Sequence, residues 1–404
     1  MDRAGLVCQE LAHPLTYLRV AVVTETYPPE INGVAMTTGR MVDGLVAAGH
    51  RVDLIRPRQA HEGGSIQLAE GAEGVEEMLS RGIPLPRYAN LQLGLPARKV
   101  LLRRWSVQRP DVVQVVTEGP LGWSALTAAR KLRLPVISEF HTNFHRYSGH
   151  YGVGWLKRPI AAYLRKFHNR ADLTLVPTRA LCGELAGQGI ARVDVVSRGV
   201  DTTLFDPARR STSLRRSWGM EPDDLAVVYV GRIAPEKNLA LLEKAFEAIR
   251  ARQPRARLIL VGSGPAQQAL QARHPAAVFC GSRSGAFLAE HYASGDLFLF
   301  PSLTETYGNV VALALASGLP VVAYRDAAAQ ELIEHQVQGW LASPGDEAAF
   351  IAGAVALAEA PELRARQRLA ARERVSSLAW QAIVERLVML QRQVILSSPV
   401  SARR

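Results

Sequence analysis

The stretch RVAVVTETYPPEINGVAMTTGRMVDGLVAAGHRVDLIR, residues 19–56, decides the fold of the first half of the chain. It begins with a short apolar run, Arg19–Thr24, and ends with another, Arg51–Arg56. Runs of this length and β-branched content are typical of buried parallel strands. Between them apolar residues recur at helical spacing, and Gly49 is suited to end a helix. The stretch therefore predicts a strand–helix–strand unit.

This alternation continues along the chain and restarts once. Further strands of a first set are expected at Asp111–Val116, Leu134–Ser138 and Asp172–Pro177. A second set is expected at Leu225–Val230, Arg257–Val261, Ala277–Cys280, Asp296–Pro301 and Leu319–Ala323. The sequence thus predicts an α/β fold with two doubly wound, Rossmann-like domains, each built on a parallel sheet.

The domain boundaries follow from where the pattern restarts. We expect an N-terminal extension at residues 1–18, a first domain at 19–197 and a second domain at 198–377. Ser197–Ser217 is rich in Arg, Ser, Thr and Asp, which is typical of a linker. Residues 378–404 are expected to form a helix and a basic tail, and the helix could pack back on the first domain.

Composition limits the class of protein and of partner. The chain has 404 residues, of which 48% are hydrophobic and 21% charged, as in ordinary globular proteins. A net charge of +11 favours phosphate-rich partners, namely nucleic acid, anionic lipid or a nucleotide, without choosing among them. Three cysteines without a CxxC pair suggest neither a zinc cage nor a redox pair. No apolar run is long enough to span a membrane, and residues 1–18 lack a signal-peptide core, so we expect a cytoplasmic protein.

Two loops that follow predicted first strands contain groups suited to a diphosphate. Gly33 precedes a helix and allows close backbone approach to an anion, although the loop could equally be a plain turn. Arg232 and Lys237 flank the loop after Leu225–Val230. Two cations at the carboxyl end of a parallel strand can neutralise a diphosphate leaving group. The alternative is a solvated loop with incidental charge.

Two later strand ends carry further candidates. Gly262 and Gly264 form a turn that could line a base pocket, but a lone GxG is a weak signal. Glu305 precedes a helix whose first amides belong to Tyr307, Gly308 and Asn309. A carboxylate beside unpaired amides can hold sugar hydroxyls; the alternative is a helix-capping group.

His141 follows the predicted strand Leu134–Ser138, with His145 and His150 nearby. Their spacing matches no familiar metal cage, and the chain contains no Asp-x-Asp. We therefore predict no metal site. The position of His141 at a strand end makes it a candidate for the active site, whereas the alternative is a hydrogen-bonded structural histidine.

Taken together, these segments resemble the retaining glycosyltransferases of the GT-B fold, family four, and among them the bacterial α-mannosyltransferases and the sulfoquinovosyl-lipid synthase group. The matching segments run in family order over nearly the whole chain: TETYPPEINGV (24–34), TEGPLGWSA (117–125), EFHTNF (139–144), SRGVDTTLFDP (197–207), GRIAPEKN (231–238), VGSGP (261–265) and FPSLTETYGNVVALALASGLPVVA (300–323). The resemblance implies two Rossmann-like domains that face each other across a cleft.

The resemblance also implies roles. Gly33 would approach the donor diphosphate, and Arg232 and Lys237 would bind its oxygens. His141 would lie beside the reacting sugar, while Glu305 and the amides that follow it would hold the sugar hydroxyls. Enzymes of this kind transfer a hexose with retention and without a metal or a bound cofactor. The implied donor is GDP-mannose or a UDP-sugar, the implied acceptor is a lipid or a glycan, and no nucleic-acid partner is expected.

One position departs from the family pattern. The family usually has a second glutamate eight residues after the first, where it holds the nucleotide ribose, and this chain has Leu313 there. We expect weaker donor binding with intact chemistry, unless Leu313 packs against neighbours reshaped around it. Two other readings stay open: a nucleotide-sugar epimerase of the same fold, and a family member that binds nucleotide or glycan without efficient turnover.

Two basic segments suggest a membrane surface. Trp155–Arg170 places apolar residues on one side and several cations on the other, and Arg98–Trp105 is a second basic stretch. A basic amphipathic helix can lie on anionic lipid. The alternative is an ordinary packed helix with a solvated basic face.

Overall fold

The computed structural model describes residues 16–30, 32–59, 68–70, 74–85, 88–141, 157–303, 305, 307–376 and 378–398. Strands and helices alternate along these ranges, as the sequence predicts. Most of the expected N-terminal extension lies outside the described residues, and so do His145, His150 and Trp155.

The first sheet is formed by β1 (Arg19–Val23), β2 (Arg51–Pro57), β3 (Leu68–Glu70), β4 (Val75–Ser80), β7 (Val112–Val115), β8 (Val136–Glu139), β9 (Leu173–Val176) and β10 (Val193–Val195). Its strand order is β10-β9-β8-β7-β1-β2-β4-β3. β1 pairs in parallel with β2 and with β7, so that Val20 lies opposite Val52 and Val112. β3 runs antiparallel to β4.

The second sheet is formed by β11 (Ala226–Val230), β12 (Arg257–Val261), β13 (Val278–Gly281), β14 (Leu297–Phe300), β15 (Val321–Tyr324) and β16 (Gly339–Ala342). Its order is β13-β12-β11-β14-β15-β16, and its neighbours pair in parallel. Alternate residues of β11 enter two different apolar clusters: Val228 belongs to one, and Val227 and Tyr229 to the other. Both faces of the sheet are therefore buried, which explains why its strands are continuous apolar runs.

Some strands were not predicted from the sequence. They are β3, β4, β10, β16 and the antiparallel pair β5 (Gly82–Leu85) and β6 (Tyr88–Gly94). β4 contains Glu76 and Glu77, which form ion pairs with arginines, so its sequence lacks the apolar run that marks a buried strand.

The described helices connect the strands. Their bounds are Gly33–Ala47, Arg98–Val107, Pro120–Lys131, Lys157–His168, Arg179–Gly187, Thr212–Ser217, Leu239–Arg252, Gln267–Arg273, Gly285–Ala293, Asn309–Ala316, Ala327–Leu332, Glu347–Glu359, Pro361–Ser376 and Trp380–Ser397. Within the described ranges, no helix is both long and apolar enough to cross a membrane.

Contacts divide the chain into two compact units. One comprises Met1–Glu30, Thr38–Ile137 and Val388–Arg404, and the other Ile31–Thr37 and Ser138–Leu387. In the first unit the end of the last helix contacts β7: Gln391 Nε2 donates a hydrogen bond to Gln114 Oε1 at 2.8 Å. The domains 19–197 and 198–377 remain a prediction, whereas the expected architecture of two parallel-sheet α/β domains is confirmed.

Candidate functional site

A pocket of about 460 Å³ lies within the second compact unit, at the carboxyl ends of β11 and β14. β11 has β12 on one side and β14 on the other, so the strand order reverses direction at β11. Doubly wound sheets bind ligands at such a switch point. The described residues that line it are Asn32, Gly33, Val34, His141, Arg198, Tyr229, Val230, Gly231, Arg232, Glu236, Lys237, Phe300, Glu305, Tyr307, Gly308, Asn309 and Val310.

Arg232 follows β11 after one residue, Gly231, and is held by a buried carboxylate. Its Nη2 donates to Glu236 Oε1, and the side chain of Glu236 is only 1% exposed against 39% for Arg232. Glu236 lies in a short 3₁₀ turn, Pro235–Lys237, that ends at Asn238. Asn238 Nδ2 donates to the carbonyl of Pro301 at 3.2 Å, which ties this loop to the loop after β14.

Lys237 and Glu305 meet across those two loops. Lys237 Nζ donates to Glu305 Oε1, and Glu305 Oε1 also accepts a hydrogen bond from Ser302 Oγ at 2.9 Å. Their side chains are 15% and 16% exposed. The pocket therefore presents two cations, each paired with a carboxylate, at the place where the sequence predicted cations and a sugar-binding glutamate.

Gly262 and Gly264 lie beneath the Arg232 loop. A Cβ on Gly262 would be 1.9 Å from the carbonyl oxygen of Gly231, and one on Gly264 would be 2.3 Å from that of Ile233. Ile233 N donates to the Ser263 carbonyl at 3.0 Å. The two glycines thus let the backbones of both loops pack together. Neither is among the described lining residues, and their contact with a nucleotide stays a prediction.

Gly33 begins the helix Gly33–Ala47 at the pocket wall. Asn32 Oδ1 caps this helix by accepting from Val34 N at 3.1 Å and from Ala35 N at 2.9 Å. A Cβ on Gly33 would lie 3.5 Å from Asn309 Nδ2. The structure therefore brings Gly33 to the same pocket as Arg232 and Lys237.

Tyr307, Gly308 and Asn309 lead into the helix Asn309–Ala316 and line the pocket. Gly308 has φ 86°, in the left-handed region that favours glycine. Helix geometry leaves the first N–H groups without intrahelical acceptors, and Asn309 and Val310 contribute such groups beside the pocket. Tyr307 itself is 5% exposed and packs into the apolar core.

His141 lies between two charged side chains. Its Nε2 is 2.7 Å from Glu139 Oε2, and its Nδ1 accepts from Arg198 Nη2. Arg198 Nη1 lies 3.9 Å from Glu139 Oε2. Burial lowers the pKa of the Arg198 guanidinium, while the negative charge of Glu139 opposes that shift.

Leu313 is half-buried and packs against the apolar cluster beside the second sheet. It is not among the described residues that line the pocket, although Val310, one turn earlier, is. Its place near a ribose stays a prediction.

The pocket also contains residues that the sequence patterns did not single out. Arg198 lies in a polar stretch that resembles a linker, and Glu236 lies among the charges of a loop. Their signal is their membership in the segments 197–207 and 231–238, which carry the family resemblance. The described residues contain no group of three or more His, Cys, Asp or Glu side chains that could hold a metal ion.

Glu25, which the sequence patterns also did not single out, lies in the first unit at the carboxyl end of β1. Its Oε1 accepts from Leu121 N at 3.0 Å at the start of the helix Pro120–Lys131, and its own N–H donates to Thr117 Oγ1 at 2.9 Å. Burial raises the pKa of Glu25 to about 7, and the charge of Glu118 adds to the effect.

Comparison with known proteins gives two family matches. The model described as "Glycosyltransferase Family 4" matches residues 31–204, and the model described as "Glycosyl transferases group 1" matches residues 224–360. A GDP-mannose-dependent alpha-mannosyltransferase of Mycobacterium tuberculosis is 36% identical over 373 residues, which cover 92% of this chain and 95% of that protein. The sulfoquinovosyl transferase SQD2 of Arabidopsis thaliana is 33% identical over 336 residues, which cover 81% of this chain and 64% of that protein.

Solved structures agree on the fold. A sucrose-phosphate synthase from Thermosynechococcus elongatus matches with a TM-score of 0.75 and 19% identity, covering 94% of this chain and 100% of that one. At this identity the likeness concerns the fold alone, and it confirms the predicted GT-B fold class.

Proposed function

Since the chain belongs to the family-4 glycosyltransferases, which transfer a sugar from a nucleotide-sugar donor, we propose that it transfers a hexose of the mannose or glucose type with retention and without a metal ion. The prediction of a glycosyltransferase from the sequence is thereby confirmed. The proposed donor is GDP-mannose or a UDP-sugar, and the proposed acceptor is a lipid or a glycan.

The convergence of Arg232, Lys237 and Glu305 in one pocket carries this proposal. When the bond between the sugar and the diphosphate breaks, negative charge grows on the leaving phosphate. Two cations already placed at the pocket wall can stabilise that charge without a bound metal. Glu305 and the amides at the start of the helix Asn309–Ala316 supply acceptor and donor groups for sugar hydroxyls.

The carboxylates of the pocket favour direct, front-face transfer. Both described lining carboxylates are engaged by cations, Glu236 by Arg232 and Glu305 by Lys237. A carboxylate in an ion pair is a weaker nucleophile than a free one. We therefore propose that the leaving phosphate itself assists the acceptor hydroxyl, with His141 beside the reacting sugar and no covalent enzyme intermediate.

Exposed cations support a lipid acceptor at an anionic membrane surface. On the helix Arg98–Val107, Arg98, Lys99 and Arg103 are exposed, and Val107 is 86% exposed. On the helix Lys157–His168, Leu164 lies in an apolar cluster and Phe167 is fully buried. The exposed side of this helix carries Arg158, Arg165 and Lys166 beside Tyr163, so it is mainly basic. The proposed membrane contact is therefore electrostatic and peripheral, on a cytoplasmic protein.

The test is a donor-by-acceptor assay. The purified chain is incubated with GDP-mannose or UDP-glucose, with and without a lipid extract or a glycan acceptor, in the presence and absence of EDTA. We expect donor consumption that requires an acceptor, a product with the donor's anomeric configuration, and no loss with EDTA. Conversion of the donor to another nucleotide-sugar without an acceptor would establish an epimerase, and an inverted product would refute retention.

A further inference from the structure

Arg198 lines the pocket at the side where His141 lies. It follows β10 and is 6% exposed as a whole residue. One of its terminal nitrogens donates to His141 Nδ1, and the other is 3.9 Å from Glu139 Oε2. No role in the pocket was predicted for this arginine from the sequence.

The chemistry of arginine fixes the state of His141. A guanidinium only donates hydrogen bonds, so Nδ1 of His141 must carry a lone pair. The ring proton then lies on Nε2, where it is donated to Glu139 Oε2 at 2.7 Å. An imidazolium would instead direct a second N–H at the guanidinium. His141 is therefore held as a neutral ring with both nitrogens engaged, and neither nitrogen is left to bind a sugar.

Arg198 itself retains hydrogen-bonding capacity. A guanidinium has several N–H groups in a fixed fork. Among the described residues, His141 is the only acceptor to which the Arg198 side chain donates a hydrogen bond. At 3.9 Å, the contact with Glu139 is an ion pair rather than a hydrogen bond. A buried arginine at a pocket wall with donors to spare is suited to a ligand oxygen.

The neighbouring carboxylate indicates which kind of oxygen. Glu139 is 4% exposed and balances the charge of Arg198 at close range. An acidic group on the sugar would meet that buried carboxylate as well as the guanidinium, whereas a hydroxyl group needs only a donor. The pair therefore fits a neutral sugar better than an anionic one.

Resting on the proposed function, we propose that Arg198 binds a hydroxyl group of the transferred sugar, positions His141 as the neutral Nε2–H tautomer, and makes the pocket select a neutral hexose over an acidic one. Arg198 then acts as a sugar ligand and as a positioning residue for His141 at once.

The positioning part is tested without any ligand. Ring ¹⁵N NMR of the full chain, with the His141 signals assigned by their loss in His141→Gln, is expected to show a neutral ring protonated on Nε2. In Arg198→Met this preference is lost, whereas the exposed Arg216→Met control keeps it. A Nδ1–H ring or an imidazolium in the wild-type protein at neutral pH would overturn the assignment.

The sugar-binding part is tested by calorimetry with GDP, GDP-mannose, UDP and UDP-glucose. Arg198→Met is expected to bind the nucleoside diphosphate as wild type does, but the nucleotide-sugar about tenfold or more weakly, as for a lost charge-assisted hydrogen bond. Equal losses for both ligands would make Arg198 a phosphate ligand and overturn the proposal. Should Arg198→Met not fold, Arg198→Lys is measured instead; it keeps the charge but not the fork, and is expected to weaken nucleotide-sugar binding alone.

Selectivity is tested on the wild-type protein with UDP-glucose against UDP-glucuronate and GDP-mannose against GDP-mannuronate. The neutral donor is expected to bind at least tenfold more tightly, and a preference for the acidic donor would overturn this part. If no nucleotide-sugar binds the wild-type protein, the proposed function and the sugar contact both fail, while the NMR result still decides whether Arg198 positions His141.

Discussion

Replacement of Glu305 by glutamine distinguishes diphosphate binding by Lys237 from sugar binding by Glu305. In the pocket Lys237 donates to the carboxylate of Glu305, so a diphosphate that binds Lys237 must compete with that carboxylate. Glutamine has nearly the same size and can still accept from Ser302, but it has no charge. We therefore expect Glu305→Gln to bind the nucleoside diphosphate more tightly than wild type while transferring sugar far more slowly.

The expected gain in diphosphate affinity follows from the kind of hydrogen bond that the substitution replaces. A charge-assisted hydrogen bond contributes about 1.5–3 kcal/mol and a neutral one about 0.5–1.5 kcal/mol. Both side chains are largely shielded from solvent, at 15% and 16% exposure, so water screens the pair only in part. A difference of about 1 kcal/mol corresponds to roughly fivefold tighter binding. On the proposed role of Glu305 as a ligand of the sugar in the transition state, loss of its charge is expected to slow transfer by roughly 30- to 1000-fold.

Calorimetric titration with GDP and UDP gives the affinity, and initial rates with the active donor give the turnover. Glu247→Gln is the matched control, because Glu247 is exposed and lies outside the pocket lining. If folded Glu305→Gln binds neither diphosphate more tightly, the diphosphate does not compete with Glu305 for Lys237 and the reasoning fails. Lys237→Ala is expected to weaken diphosphate binding and to slow transfer, whereas Lys244→Ala, which removes an exposed lysine paired with Glu347, should change neither.

Four further outcomes are expected. His141→Ala should lower kcat far more than it weakens nucleotide binding; normal turnover at saturation with weakened binding would assign His141 a binding role only. Leu313→Glu should bind the nucleoside diphosphate roughly tenfold more tightly by calorimetry, and a folded variant without any gain would show that residue 313 does not face the ribose. Burial raises the pKa of Glu25 from 4.5 to about 7, so between these pH values the folded protein keeps this proton and the unfolded chain has lost it. The free energy of unfolding of the wild type should therefore fall by up to about 3 kcal/mol as pH rises from about 4.5 to 7. Thermal melts of Glu25→Gln should lack that part of the decline, and parallel pH profiles of the two proteins would contradict the shift. Flotation should show more protein on anionic than on neutral vesicles, less so in an Arg103→Ala, Lys166→Ala double variant; equal binding to both vesicles would remove the support for an anionic membrane surface.

Local pattern accounts for the parts of the fold that could be predicted. The strands β11, β12 and β14 appear in the sequence as uninterrupted apolar runs because both faces of their sheet are buried. Once the strands are parallel, their carboxyl ends share one edge, so Lys237 and Glu305 could be expected at the same site although 68 residues separate them.

Contacts that no local pattern encodes explain most of what was missed. Arg198 meets His141 across 57 residues of sequence, within a stretch whose polar composition is typical of a linker. The net charge was similarly ambiguous, because arginines also serve inside the protein. Arg215 is 4% exposed and donates to the carbonyls of Ser294 and Asp224, and Arg372 donates to those of Phe205, Thr202 and Ala316. Both arginines also form ion pairs, Arg215 with Asp296 and Arg372 with Asp206, so these cations stabilise the fold rather than bind an external partner.

The packing of Gly262 and Gly264 against the Arg232 loop has a consequence for exchanging that loop between related enzymes. The two loops touch backbone to backbone, at distances that leave no space for a Cβ. If only residues 231–238 were replaced, the new loop would pack against a segment 261–265 that is shaped for the original loop. A side chain at position 262 or 264 would then displace the cations of the new loop. Residues 231–238 and 261–265 should therefore be exchanged together when this loop is moved between enzymes of this fold.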